Sequence, residues 1–155
     1  MTSIISEGMT RRGLLRAFAA TAVTAAPTYA NAFGFLKGAG DVRRIRMYSG
    51  RTGERMDTIY WIEGDYIPEA LAEINRFMRD WRTNGVIDID RRTVDIIAAS
   101  HNMLDSDSPY LMLSGYRSPQ TNNMLRARSR SVARTSLHMK GQAADLRLEG
   151  RSVGQ

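Results

Sequence analysis

The sequence predicts an α+β domain: a β-hairpin, then two helices, then strands with a helix between them. Three observations predict it. Residues 42–62 hold two β-rich stretches around a Ser-Gly-Arg-Thr-Gly-Glu turn. Residues 68–104 carry two apolar stripes at helical spacing. Short apolar stretches at 110–113 and 143–148 then flank a Ser-Pro helix start.

The chain has 155 residues, 43% hydrophobic and 25% charged, ordinary for one globular domain plus a processed end. Residues 1–32 read as that end. Arg11-Arg12 stand directly before a weakly apolar stretch whose only charge up to Pro27 is Arg16, and Ala30-Asn31-Ala32 supplies a small-x-small cleavage pattern. These are the parts of a secretory signal, and the paired arginines resemble a twin-arginine signal. The expected partner is the twin-arginine export machinery, and the expected location is periplasmic or otherwise exported. The apolar stretch is too short for a span of ~20 residues, so no stable membrane span is expected after cleavage. Residues 33–41, with Gly34, Gly38 and Gly40, read as a flexible lead-in, and 42–155 as the domain.

Within the domain, 42–48 and 56–62 form the hairpin around the turn at 49–54. Pro68 opens a helix with Leu71, Ile74, Phe77, Met78 and Trp81 on one stripe, ended by Asn84-Gly85. Asp90 reads as the N-cap of a second helix, with Val94, Ile97, Ala98, His101 and Leu104 on one face. Residues 105–109 are a loop and 110–113 a strand. Ser118 caps a third helix with Pro119 at its first position, running into a basic stretch. Residues 143–148 are a further strand.

The chain has no cysteine, which excludes a disulfide framework, thiolate ligands and a cysteine nucleophile. Any metal must be held by His, Asp or Glu. The net charge of +6 favours anionic partners without choosing among them. Arg126, Arg128, Arg130 and Arg134 have no interleaved aromatics for base stacking, so no nucleic-acid partner is expected. They read as a solvated face or a contact for an anionic wall polymer.

Two segments carry candidate chemistry. In Leu113-Ser114-Gly115-Tyr116-Arg117-Ser118 a strand ends, the chain turns, and Arg117 is presented before a helix start. It could hold a carboxylate or a polarised carbonyl oxygen, or be a surface arginine at a turn. In Ser136-Leu137-His138-Met139-Lys140-Gly141-Gln142-Ala143-Ala144-Asp145, a loop folding back at Gly141 could bring imidazole and carboxylate to one Zn²⁺. On spacing alone, a surface His and a strand-end Asp is the stronger reading. His101 reads as a core or rim histidine rather than a ligand, and nothing in the sequence places Glu149 at a metal.

Together, Ser114-Gly115-Tyr116-Arg117-Ser118 and the S-x-H-x-x-G-x-A-x-D pattern of residues 136–145 resemble the Hedgehog/D,D-peptidase group of zinc peptidases. The resemblance is strongest to a subgroup of twin-arginine-exported murein endopeptidases. Thr52-Gly53-Glu54, Leu71 to Asn75, Phe77 to Arg82 and Thr121 to Arg130 support it in order along the chain. It implies an antiparallel sheet with flanking helices, a Zn²⁺ cofactor, and His138 and Asp145 as metal ligands. It implies Arg117 as the group that stabilises the substrate carbonyl oxygen, and crosslinked peptidoglycan as substrate. It also implies a third ligand from a C-terminal His-x-Asp motif. No histidine follows His138 before Gln155, so the sequence is expected to lack the final strand region and to have little hydrolase activity by itself. The alternative expectation is a non-catalytic peptidoglycan-binding remnant of the same fold.

Overall fold

In the computed structural model, residues 42–104 and 106–150 are described; the expected signal at 1–32 and the expected lead-in at 33–41 lie outside them. The elements are β1 (Val42–Ser49), β2 (Arg55–Ile62), β3 (Asp65–Tyr66), α1 (Pro68–Phe77), α2 (Arg91–Met103), β4 (Tyr110–Ser114), α3 (Pro119–Arg128), a 3₁₀ helix (Leu137–Lys140) and β5 (Asp145–Leu148). This is the expected α+β class. Among the described residues no helix is long and apolar enough to cross a membrane.

The hairpin forms as its alternation predicts. Met47 faces Met56 and Tyr48 faces Arg55, and the turn closes through Ser49 N–H to Glu54 O (2.9 Å) and Gly53 N–H to Ser49 O (2.9 Å). Ile45 and Met47 on β1, Met56 and Tyr60 on β2, and Tyr110 and Met112 on β4 are all buried. Period-two alternation therefore gives the sheet one core face and one solvent face. Helices cover the core face, α1 against β2 and α2 against β1.

The strand order is β3-β2-β1-β4-β5. The expectation of an antiparallel sheet fails at its centre, where β4 runs parallel to β1 with Met47 beside Tyr110. The chain crosses the core face through α1 and α2 before re-entering the sheet, and such a long crossover returns a strand in its original direction. The remaining pairs are antiparallel.

Helix α1 is shorter than the stripe predicts. It ends at Phe77, with Met78 fully buried as its C-cap, and Trp81 stands 37% exposed between the guanidinium groups of Arg82 (4.1 Å) and Arg51 (5.7 Å). The apolar spacing continues, but the backbone beyond Phe77 is committed elsewhere: Met78 O accepts from Tyr116 N–H (2.7 Å) and Asp80 turns inward. Asp90 and Ser118 cap α2 and α3 as expected, accepting from Arg92 N–H and Thr121 N–H. His101 is buried, 2.7 Å from Ser108 O and edge-on to Tyr110, a core position as the sequence implies.

A buried carboxylate ties α2 to the strands. Asp95 accepts from Tyr60 OH (2.9 Å), Tyr66 OH (2.6 Å) and Arg43 Nη1 (2.9 Å). Burial first, then the neighbouring Asp95, pushes the Tyr66 phenol up to about 12 and Tyr60 further, so both stay protonated donors.

Candidate active site

Three segments distant in sequence meet at the end of β4. The first is the bend 114–118. A Cβ at Gly115 would collide with the Met78 carbonyl oxygen and lie 3.0 Å from both Met78 C and Cα, so only glycine lets the bend press against the end of α1. The bend is also fastened at Ser118, whose N–H (2.9 Å) and hydroxyl (2.7 Å) donate to Asp80 Oδ2. Asp80 Oδ1 accepts from Arg82 N–H (3.1 Å), and Asp80 is only 1% exposed. Burial raises its carboxyl, but the Thr121 and Ser118 hydroxyls and the Ser118 and Arg82 N–H groups outweigh that and hold it below the usual carboxylate range.

The second segment is the 3₁₀ turn 137–140. The Ser136 hydroxyl accepts from His138 N–H at its start, and Gly141 ends it at φ 66°. The turn is moored to α2, with Asp90 N–H donating to Gly141 O (3.1 Å) and Gln142 Nε2 to Asp90 Oδ2 (3.3 Å). Arg117 N–H in turn donates to His138 O (3.2 Å). The third segment is the start of β5, where Asp145 pairs with Ser114 after a one-residue irregularity in β4.

This scaffold brings the three candidate side chains together. His138, 8% exposed, places Nδ1 2.8 Å from Gly115 O. A carbonyl can only accept, so Nδ1 carries a proton and donates to it, leaving Nε2 as the ring nitrogen available to another partner. That Nε2 faces Asp145 Oδ1 at 3.4 Å. The other carboxylate oxygen, Oδ2, accepts from Arg117 Nη2, while Arg117 Nε donates to Ser114 Oγ (2.9 Å). Arg117 Nη1 has no protein acceptor among the described residues.

The Asp145 carboxyl lies below its ordinary range, held there first by the His138 ring and then by the charges of His138 and Arg117, against the effect of burial. It is therefore ionised at neutral pH. A deprotonated Nε2 and a carboxylate oxygen facing one point suit a shared cation. Nitrogen and oxygen ligands at ~2.0–2.1 Å from a tetrahedral zinc stand about 3.3 Å apart, close to the separation found here. The hydrogen bond from Nδ1 to a backbone carbonyl is the orienting contact that metal-binding histidines have. Among the described residues no group of three or more His, Cys, Asp or Glu converges on such a point.

Glu149 is not at this site; its carboxylate accepts from Tyr48 OH (2.5 Å) on the solvent face of the sheet. Arg126, Arg128, Arg130 and Arg134 are exposed beyond the first turns of α3. The residue that sequence reasoning missed is Asp80. It follows a helix and sits between Arg79 and Trp81-Arg82, a context that reads as surface. Its partner, Ser118, was visible as a helix cap and as the end of the Ser114 to Ser118 pattern, with nothing in the sequence to pair it with Asp80.

A family model described as peptidoglycan L,D-endopeptidase MepK matches residues 37–155. The peptidoglycan L,D-endopeptidase MepK of Escherichia coli (strain K12) is 42% identical over 108 residues, covering 70% of this chain and 59% of that protein. The probable peptidoglycan L,D-endopeptidase MepK of Haemophilus influenzae is 35% identical over 100 residues, 64% of this chain and 54% of that protein. The chain thus spans less than two thirds of the curated relatives it matches. No solved structure matches.

Proposed function

The chain belongs to the peptidoglycan L,D-endopeptidase MepK family, and from that premise we propose that residues 42–155 form the domain of a zinc-dependent endopeptidase acting on peptide crosslinks of the cell wall. The observation that carries this is the convergence of His138 Nε2, Asp145 and Arg117 at one point. We further propose that residues 1–32 are a twin-arginine signal, 33–41 a lead-in, and the site of action periplasmic.

In this proposal His138 and Asp145 hold Zn²⁺, which when bound lowers the pKa of a water molecule to about 7 and so supplies a nucleophile at neutral pH. The protein's own groups do the rest. Gly115 O fixes the His138 tautomer with Nε2 free. Asp145 stays ionised and shares its second oxygen with Arg117. Arg117 is held in place through Nε and Nη2 while Nη1 remains to donate to a substrate carbonyl oxygen as it gains charge.

Zinc binding by the purified chain tests this. Specific, stoichiometric zinc is expected, with affinity lowered by at least about 100-fold in His138→Ala and similarly in Asp145→Ala. Zinc that binds equally well to His138→Ala would remove His138 from the site. Capture of crosslinked wall peptides without specific zinc would instead make the domain a non-catalytic peptidoglycan-binding module.

A further inference from the structure

The solvent face of the sheet leads directly away from Asp145. Tyr48 pairs with Arg55 on β2 and with Leu111 on β4, and Leu111 pairs with Arg147 on β5. These residues alternate with the buried Met47, Met56, Tyr110 and Leu148, so they form a transverse row on the open face. Asp145 stands two residues before Arg147, on the same face of the same strand. The row is apolar in the middle and cationic at both ends. At the ~4.8 Å strand spacing its two guanidinium groups start from backbones roughly 14 Å apart.

The arginines of this face are not equivalent. Arg44 is paired with Asp57 and Arg46 stands 4.0 Å from Asp107. Arg55 and Arg147 are exposed and have no carboxylate partner among the described residues. The arginine nearest the row's aromatic residue, Arg55, lies over the Tyr48 ring at 5.6 Å. The Tyr48 hydroxyl donates to the Glu149 carboxylate. An aromatic ring between two exposed guanidinium groups that have no carboxylate partner among the described residues is complementary to an extended peptide bearing free carboxylates. Such groups bind carboxylates in bidentate fashion.

We propose that the row Arg147–Leu111–Tyr48–Arg55 is a substrate subsite. A wall peptide lies across the open sheet face from the His138–Asp145–Arg117 point. One of its carboxylates meets Arg147, a more distant one meets Arg55, and short apolar side chains rest on Leu111 and Tyr48. This rests on the function proposed above and assigns to it a carboxylate-bearing peptide as the recognised chemistry.

The test uses two fluorescently labelled crosslinked stem peptides, one with its carboxylates free and one with them amidated. Binding is read by anisotropy for the full chain and for Arg147→Gln, Arg55→Gln and the double variant, with thermal melts to verify folding. The free peptide is expected to bind roughly three- to tenfold more weakly to Arg147→Gln, with a smaller loss for Arg55→Gln. Amidation is expected to weaken binding to the unsubstituted chain by a similar factor and to change little for the double variant. Equal affinity of the unsubstituted chain for both peptides overturns the subsite while leaving the endopeptidase proposal standing. A loss in Arg147→Gln that is just as large with the amidated peptide also overturns it. Failure of the unsubstituted chain to bind either peptide overturns the endopeptidase proposal and the subsite with it.

Discussion

Gly115→Ala is expected to destabilise the domain by at least about 3 kcal/mol, as a thermal or urea melt would show. The added methyl would meet backbone, not a flexible side chain: the Met78 carbonyl oxygen, with Met78 C and Cα at 3.0 Å. Relief requires the 115–118 bend to retreat from the end of α1. That breaks the hydrogen bond from Tyr116 N–H to Met78 O and moves Gly115 O away from His138 Nδ1. The site is then lost along with stability, so zinc binding should fall in the same variant. Gly50→Ala is the matched control. Its new methyl would meet only the tip of Leu111, Cδ1 at 3.2 Å, which can rotate away, and a cost within about 1 kcal/mol is expected. Equal melts for Gly115→Ala and Gly50→Ala would show that the close approach at Met78 is not a constraint.

Asp80→Ala should cost about 3 kcal/mol, because it leaves the Ser118 N–H, the Ser118 hydroxyl and the Arg82 N–H without their shared acceptor. Asp80→Asn keeps the shape but turns an amide N–H₂ toward donors, and a smaller loss of roughly 2 kcal/mol follows. The carboxyl also gives a pH signature. Its folded-state pKa is depressed, so its contribution is fully present above the unfolded value of about 3.9 and is lost as pH falls through the folded value. The stability gap between the unsubstituted chain and Asp80→Asn should therefore be flat from about pH 5 to 8 and close below about pH 4. Urea midpoints across that range check this, and a gap that stays constant into the acid range would count against Asp80 as an ionised anchor.

These two residues also mark where the sequence was legible and where it was not. Local signals were read well. The hairpin around Ser49 to Glu54, the Asp90 cap, and the Ser118-Pro119 start of α3 each depend on neighbours a few residues away. The stripe through Ile74, Phe77 and Met78 correctly marked a buried face. It did not mark the end of α1, because the backbone of Met78 is claimed by Tyr116 from another part of the chain. The parallel placement of β4 was hidden for the same reason: direction in a sheet is decided by the crossover, not by the strand's own alternation. His138, Asp145 and Arg117 were singled out through a family pattern, since seven-residue spacing alone says little. That Arg117 binds Asp145, and that Asp80 holds the bend, could not be read from either segment taken separately.

The parallel neighbours β1 and β4 have a consequence for timing. Met47 cannot meet Tyr110 until a long stretch of chain, including both crossover helices, has been gathered in. Closing such a loop is entropically costly, and domains dominated by distant contacts fold slowly. Ser114 and Asp145 pair only on the far side of that strand. The meeting of imidazole, carboxylate and guanidinium is itself non-local, joining the bend at 114–118 to His138 and Asp145. In the function proposed above, activity would depend on the completed topology and not on any one segment, because no segment by itself holds all three groups.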